Sequence, residues 1–131
     1  MDMEITFPGN LKVNAKFGKF DVPTDQRKRA GGDETAPEPF NLFLASIGTC
    51  VGIYVLSFCK ERKIDTDGLK ITMKTERDKI KRMLSKITID IVLPPEFPEK
   101  YKNAVIKTAD LCAVKKHMFD PPEFEINANI G

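Results

Sequence analysis

The sequence predicts an α+β fold in the order βββ-α-ββ-α-β, laid out as a single domain over residues 1–131. Three observations carry that prediction. Short stretches near both ends and in the middle alternate apolar and polar residues with period two. An uncharged run, Phe40 to Cys59, interrupts a chain in which 31% of residues are charged. A second stretch, before the C-terminal end, repeats its apolar residues at spacings of three and four.

At the N-terminal end Met3, Ile5 and Phe7 share one side, and Pro8-Gly9-Asn10 marks a turn. Leu11, Val13, Ala15 and Phe17 continue the alternation, Gly18 permits another turn, and Phe20 and Val22 follow. This reads as a meander of three short strands. Pro23 to Pro39 is rich in charge, Gly and Pro, and reads as one long surface loop. Long loops inside compact domains commonly serve function or partner contact.

The uncharged run reads as a long helix. Pro39 suits its first turn, where a missing N–H costs nothing. Lys60-Glu61-Arg62-Lys63 suits its end, where cations face the negative end of the helix dipole. Such a helix of about 33 Å could span a bilayer. Asn41, Ser46, Gly48, Thr49, Gly52 and Ser57 within it, and amphipathic strands around it, favour a core helix buried on nearly all sides, with no membrane partner. One small chain can hardly wrap such a helix. A sheet covers one face, and a second copy of the chain is the economical cover for the other. Gly48 and Gly52 lie one turn apart and invite close approach there, by a partner copy or by packing within the chain.

After Asp67-Gly68, Leu69, Ile71, Met73 and Thr75 share a face, as do Ile87, Ile89, Ile91 and Leu93. The charged segment Glu76 to Arg82 joins them as an antiparallel hairpin. Pro94 to Lys100 breaks the strand and starts a second helix. Its buried stripe is Tyr101, Val105, Thr108, Ala109 and Cys112, and Asp120-Pro121-Pro122 ends it. Phe124, Ile126, Ala128 and Ile130 predict a last strand.

Composition excludes several function classes. With 41% hydrophobic residues the chain is globular rather than disordered. Lys+Arg is 21 against 19 Asp+Glu, a net charge of +2, which gives no case for a nucleic-acid partner. The lysine-rich pieces 60–63 and 74–82 read as solvated faces. A single histidine leaves a zinc site short of ligands. The first residues lack a basic stretch followed by an apolar one, so no secretory signal is expected. Three cysteines without framework spacing fit a reducing, cytoplasmic setting.

The cysteines are the chemical candidates. Cys50 and Cys59, nine residues apart, project from opposite sides of one helix with about 13.5 Å of rise between them. A disulfide needs Cα atoms within about 7 Å, so these two cannot pair while the helix is intact. Gly48, Thr49 and Gly52 leave room around Cys50. If the two helices pack, Cys50 and Cys112 are the pair that meets. Cys59 reads as a packing residue near the helix end. His117 falls about 140° out of phase with Cys112 on a helix and reads as a helix-end or surface residue.

The segment APEPFNLFLASIGTC, ending at Cys50, resembles the Pro-x-Glu-Leu-x-x-Ala-x-x-x-x-Cys segment of the OsmC/Ohr family (osmotically inducible protein C and organic hydroperoxide resistance). DLCAVKKHM, around Cys112, resembles that family's second cysteine segment. The distance between the cysteines and the element order also match, over nearly the whole chain. The resemblance implies an intertwined homodimer with the long helices in its core. It implies a thiol-dependent peroxidase acting on organic hydroperoxides, with Cys50 attacking and Cys112 resolving, restored by a small dithiol or a redoxin. It implies neither metal nor organic cofactor. An apolar pocket of Phe40, Phe43 and Ile47 would favour alkyl hydroperoxides.

Burial raises a thiol pKa, and Cys50 lies about three turns into its helix, where the dipole helps little. Peroxidases of the family use an arginine from an N-terminal strand or loop, held by the motif glutamate. Here Asn41 takes the glutamate position, and Glu38 lies nearly one turn earlier. The cations available are Lys12, Arg27 and Arg29. These departures point to the OsmC-like branch. They leave open a non-enzymatic dimer that binds or senses a small apolar or electrophilic ligand at its interface.

Overall fold

A computed structural model describes residues 1–131. The chain forms two compact units, Met1–Ala45 and Ser46–Gly131. The first helix, α1 (Pro39–Glu61), runs through the boundary.

The N-terminal unit is the expected meander. β1 (Glu4–Gly9), β2 (Lys12–Phe17) and β3 (Phe20–Thr24) form an antiparallel sheet in that order, with Ile5 opposite Ala15 and Ala15 opposite Val22. The turn after β1 needs the left-handed backbone that Asn tolerates, and Asn10 supplies it at φ 45°. The loop that follows is tied down rather than loose. Asp25 is completely buried, and its carboxylate accepts from the N–H groups of Gln26 and Thr35 and from the Thr35 hydroxyl. Lys12 pairs with Asp33 at 2.6 Å, and Asn10 donates to the Gly31 carbonyl at 2.9 Å. Gly32 sits where the loop doubles back: a Cβ there would lie 2.1 Å from the Gln26 carbonyl oxygen.

The C-terminal unit packs the rest of α1 on a hairpin and two short helices. β4 (Lys70–Asp78) and β5 (Met83–Val92) pair antiparallel, with Ile71 opposite Ile91 and Met73 opposite Ile89, as the alternation predicts. α2 (Lys102–Ala109) closes the core. Val51, Val55 and Phe58 of α1 meet Val105, Ala109 and Cys112, with Ile71, Ile89 and Ile91 packed alongside. α1 ends where Arg62 folds back. Its guanidinium lies 3.6 Å from the Phe58 ring centroid and donates to the Phe58 carbonyl at 3.1 Å, satisfying one of the orphan carbonyls of the helix end.

Two expectations need correction, and two are narrowed. The second helix is not continuous: it breaks after Ala109 and resumes as α3 (Ala113–Phe119). Leu111 N–H turns to the Thr108 carbonyl in a tighter turn, Cys112 is extended at φ −44°, ψ 121°, and Asp110 is engaged by Lys115. Residues 121–131 form no strand; their alternating side chains, Phe124 and Ile126 among them, are exposed, since a strand needs a neighbour to bond with. α1 is long and apolar enough to cross a membrane by length and composition, but its buried residues form a single stripe, Ile47, Val51, Val55, Phe58 and Cys59. Within one chain its other face stays open, with Ile53 53% exposed. Finally, the close approach at Gly48 is made within the chain: a Cβ there would meet the Met73 sulfur at 2.8 Å.

Candidate active site

Two elements bring the two candidate thiols together. Cys50 sits on α1 beside Val51 of the buried stripe, at the stripe's edge, so its side chain is half-buried. Cys112 occupies the break between α2 and α3 and is completely buried. The break is what turns Cys112 towards α1: Cys50 packs against the buried cluster that contains Cys112, each thiol shifts the acidity of the other, and both are free.

The environment splits their acidities. The backbone N–H of Val114 lowers the Cys50 pKa from 9.0, overcoming the opposing effect of burial, with help from the Cys112 thiol and the N–H of Ala113. For Cys112 burial dominates and raises the pKa from 9.0. The nearby Lys115 N–H pulls the other way, and the Cys50 sulfur adds to the rise because two adjacent thiolates repel. The pair therefore holds a nucleophile that ionises early beside a thiol that keeps its proton. Cys59, buried and free, is raised by the same desolvation, opposed only by Arg62. It has the inert character expected of a packing residue.

The activating groups at Cys50 are backbone amides from the segment after Cys112. A sequence shows side-chain cations but not these donors, because an N–H is present at every non-proline residue and has no letter of its own. The one signal was Asp110, a helix-breaking residue two positions before a cysteine. The side-chain cations are placed as follows. Lys12 is committed to Asp33. Arg27 Nε pairs with Glu38 Oε1 at 3.0 Å, while Arg29 forms no ion pair. Asn41, at the glutamate position of the motif, contributes its backbone N–H to the Glu38 carbonyl at 3.0 Å. An arginine–carboxylate pair thus exists in the N-terminal unit, with Glu38 as the acid. His117 is exposed and shares a hydrogen bond with the Ala113 carbonyl, a helix-surface residue as expected.

A cleft of about 630 Å³ opens beside Cys50. It runs down α1 past Ile53, Tyr54 and Phe58, with Leu111 on the opposite wall. Phe40, Phe43 and Ile47, expected to form the pocket, precede Cys50 and do not line it; Phe40 and Phe43 stack on each other at 5.4 Å. A larger cavity, about 890 Å³, lies between the end of α1 and the Pro94–Tyr101 segment and contains no thiol. No group of His, Cys, Asp and Glu side chains is arranged to hold a metal ion.

Comparison with known proteins places this architecture. The family model described as OsmC-like protein matches residues 31–127. Among solved structures, one from Psychrobacter arcticus, titled as an osmotic stress induced and detoxification response protein, superposes with a TM-score of 0.73 at 22% identity, covering 87% of this chain and 85% of that one. A hypothetical protein from Aquifex aeolicus gives 0.68 at 21% identity, with 92% and 87% covered. The organic hydroperoxide resistance protein OhrB of Bacillus subtilis gives 0.52 at 19% identity, with 89% and 90% covered. A search of curated proteins finds no significant match. With the family model spanning both cysteine segments and the α+β architecture shared with OsmC and Ohr structures, this chain belongs to the OsmC-like protein family.

Proposed function

We propose that this chain is a thiol-dependent peroxidase that reduces organic hydroperoxides in the cytoplasm, working as a homodimer. The observation that carries the reading is the pair of free thiols, Cys50 packed against the buried cluster that holds Cys112, with the acidity of one raised and that of the other suppressed. OsmC/Ohr proteins are associated with hydroperoxide resistance and redox chemistry, and are typically dimeric.

The steps follow from the two acidities. The Cys50 thiolate attacks the distal oxygen of the hydroperoxide. An S–O bond forms, the O–O bond breaks, and the alkoxide leaves as the alcohol after taking one proton. Cys50 is then a sulfenic acid. The Cys112 sulfur attacks the Cys50 sulfur, an S–S bond forms, and hydroxide leaves with the Cys112 proton as water. A small dithiol or a redoxin reduces the disulfide by two exchange steps and is itself oxidised. Burial of Cys112 keeps it a thiol through the first step, so only one sulfur competes for the peroxide. The apolar cleft beside Cys50 favours an alkyl hydroperoxide over hydrogen peroxide. Arg27, held by Glu38, matches in kind the arginine–glutamate pair of the family's peroxidases.

The test is direct. Reduced protein is treated with cumene hydroperoxide or with hydrogen peroxide, and its disulfides are mapped by mass spectrometry. A Cys50–Cys112 bond that forms faster with the organic peroxide is the expected result. Cys50→Ser abolishes turnover, and Cys112→Ser accumulates oxidised Cys50. Thiols that survive excess peroxide would instead leave the cleft as a binding site for a small apolar or electrophilic ligand.

A further inference from the structure

Tyr54 has no place in the chemistry described so far, yet it shares the cleft with Cys50. The two residues are four apart on α1 and lie on one face, with Cβ atoms about 5–6 Å apart. Long side chains on a helix lean towards its N-terminal end and cover the preceding turn. The Tyr54 ring is thereby carried over the turn that bears Cys50. Its neighbours along the cleft, Ile53, Phe58 and Leu111, are apolar. Its hydroxyl makes no hydrogen bond within the chain and is open to solvent, since no buried side-chain oxygen is left without a partner. A half-buried phenol whose O–H is not committed within the chain is an available donor for whatever occupies the cleft.

The reaction has an unmet requirement at that position. Attack of the Cys50 thiolate on the distal peroxide oxygen expels an alkoxide, a strong base and a poor leaving group. The amides of Ala113 and Val114 are engaged with the attacking sulfur. Cys112 must keep its proton until the second step, when it leaves as part of water. His117 lies outside the cleft and is bonded to the Ala113 carbonyl. Of the groups lining the cleft near Cys50, Tyr54 alone offers an acidic O–H on an aromatic ring. Ser57, a full turn beyond it, is a far weaker acid.

We infer that Tyr54 is a catalytic residue, the general acid that protonates the departing alkoxide, a role that rests on the peroxidase reading. As the O–O bond breaks, the electron pair stays with the proximal oxygen, which takes the phenolic proton and leaves as the alcohol. The resulting phenolate recovers its proton from solvent at the cleft mouth. Cys50 is oxidised by two electrons, the peroxide is reduced by two, and Tyr54 returns unchanged.

The test separates proton donation from shape. Tyr54→Phe keeps the ring and removes the O–H. Single-turnover oxidation of Cys50 is timed with tert-butyl hydroperoxide, whose leaving group is an alkoxide, and with peracetic acid, whose leaving group is a carboxylate that needs no proton. The expected result is a fall of about 10²-fold in the ratio of the first rate to the second, the scale of general-acid catalysis. An unchanged ratio in a folded Tyr54→Phe protein that still oxidises Cys50 overturns the inference and leaves the peroxidase reading intact. Inertness of the unsubstituted protein towards both oxidants removes both.

Discussion

At the scale of single residues, the site separates two chemically identical thiols by what surrounds each. Amide donors lower Cys50 and burial raises Cys112. Alkylation proceeds through the thiolate, so the sign is fixed: Cys50 is labelled at lower pH than a free cysteine, and Cys112 only at higher pH. Iodoacetamide rates measured by mass spectrometry from pH 5 to 10 should show that order, and labelling of Cys112 first would contradict it. Asp25 works in the same way in the loop. Hydrogen bonds from Thr35 hold its pKa well below the usual carboxylate range. A folded-state pKa below the unfolded one stabilises the protein above the unfolded value of about 3.9, and that stability drains away as pH falls below about 5. Asp25→Ala should lower Tm by several degrees at pH 7, with a gap from the unsubstituted protein that narrows towards pH 3. A gap that persists unchanged at pH 3 would show that the charge of Asp25 is not what holds the loop.

At the scale of elements, two glycines with small clearances should differ in how much an added methyl costs. The Cβ of Gly32→Ala would collide with a backbone carbonyl, which cannot move aside without opening the loop, so a loss of about 3 kcal/mol or more is expected. At Gly48 the obstacle is the end of a Met73 side chain, which can change rotamer, and Gly48→Ala should cost at most about 1 kcal/mol. Urea titration of both variants decides it. Val55→Ala, which opens a hole in the centre of the C-terminal unit, should cost about 2 kcal/mol by the same measurement.

The elements also show what was legible in advance. β1 to β5 and α1 follow from period-two alternation, from Pro39 and from the cations after Cys59, because each depends on neighbours within the chain. The break at Asp110–Cys112 was hidden, since Val105, Ala109 and Cys112 keep a helical spacing across it. The last strand was overcalled, because alternation in Phe124 to Ile130 records a readiness to pair and not the presence of a partner. The two cysteines were legible as a pair. The amides that tune Cys50, the Arg27–Glu38 contact and the buried Asp25 depend on how the loops close, which no local pattern encodes.

At the scale of the whole molecule, much apolar surface faces outward. Ile53 and Leu111 on the C-terminal unit, and Phe7 and Phe20 on the N-terminal sheet, are all half exposed or more. Association of two copies would cover such surface, and sedimentation should give a mass about twice 14.8 kDa that resists added salt, as expected of an apolar contact. A monomer at micromolar concentration would remove the dimer from the proposed function. Cys59 has a consequence at this scale too. With no exposed surface, it can meet a thiol reagent only when the helix lifts away from its bed. Its labelling under native conditions is therefore a clock for those rare openings, read at a residue the chain already carries.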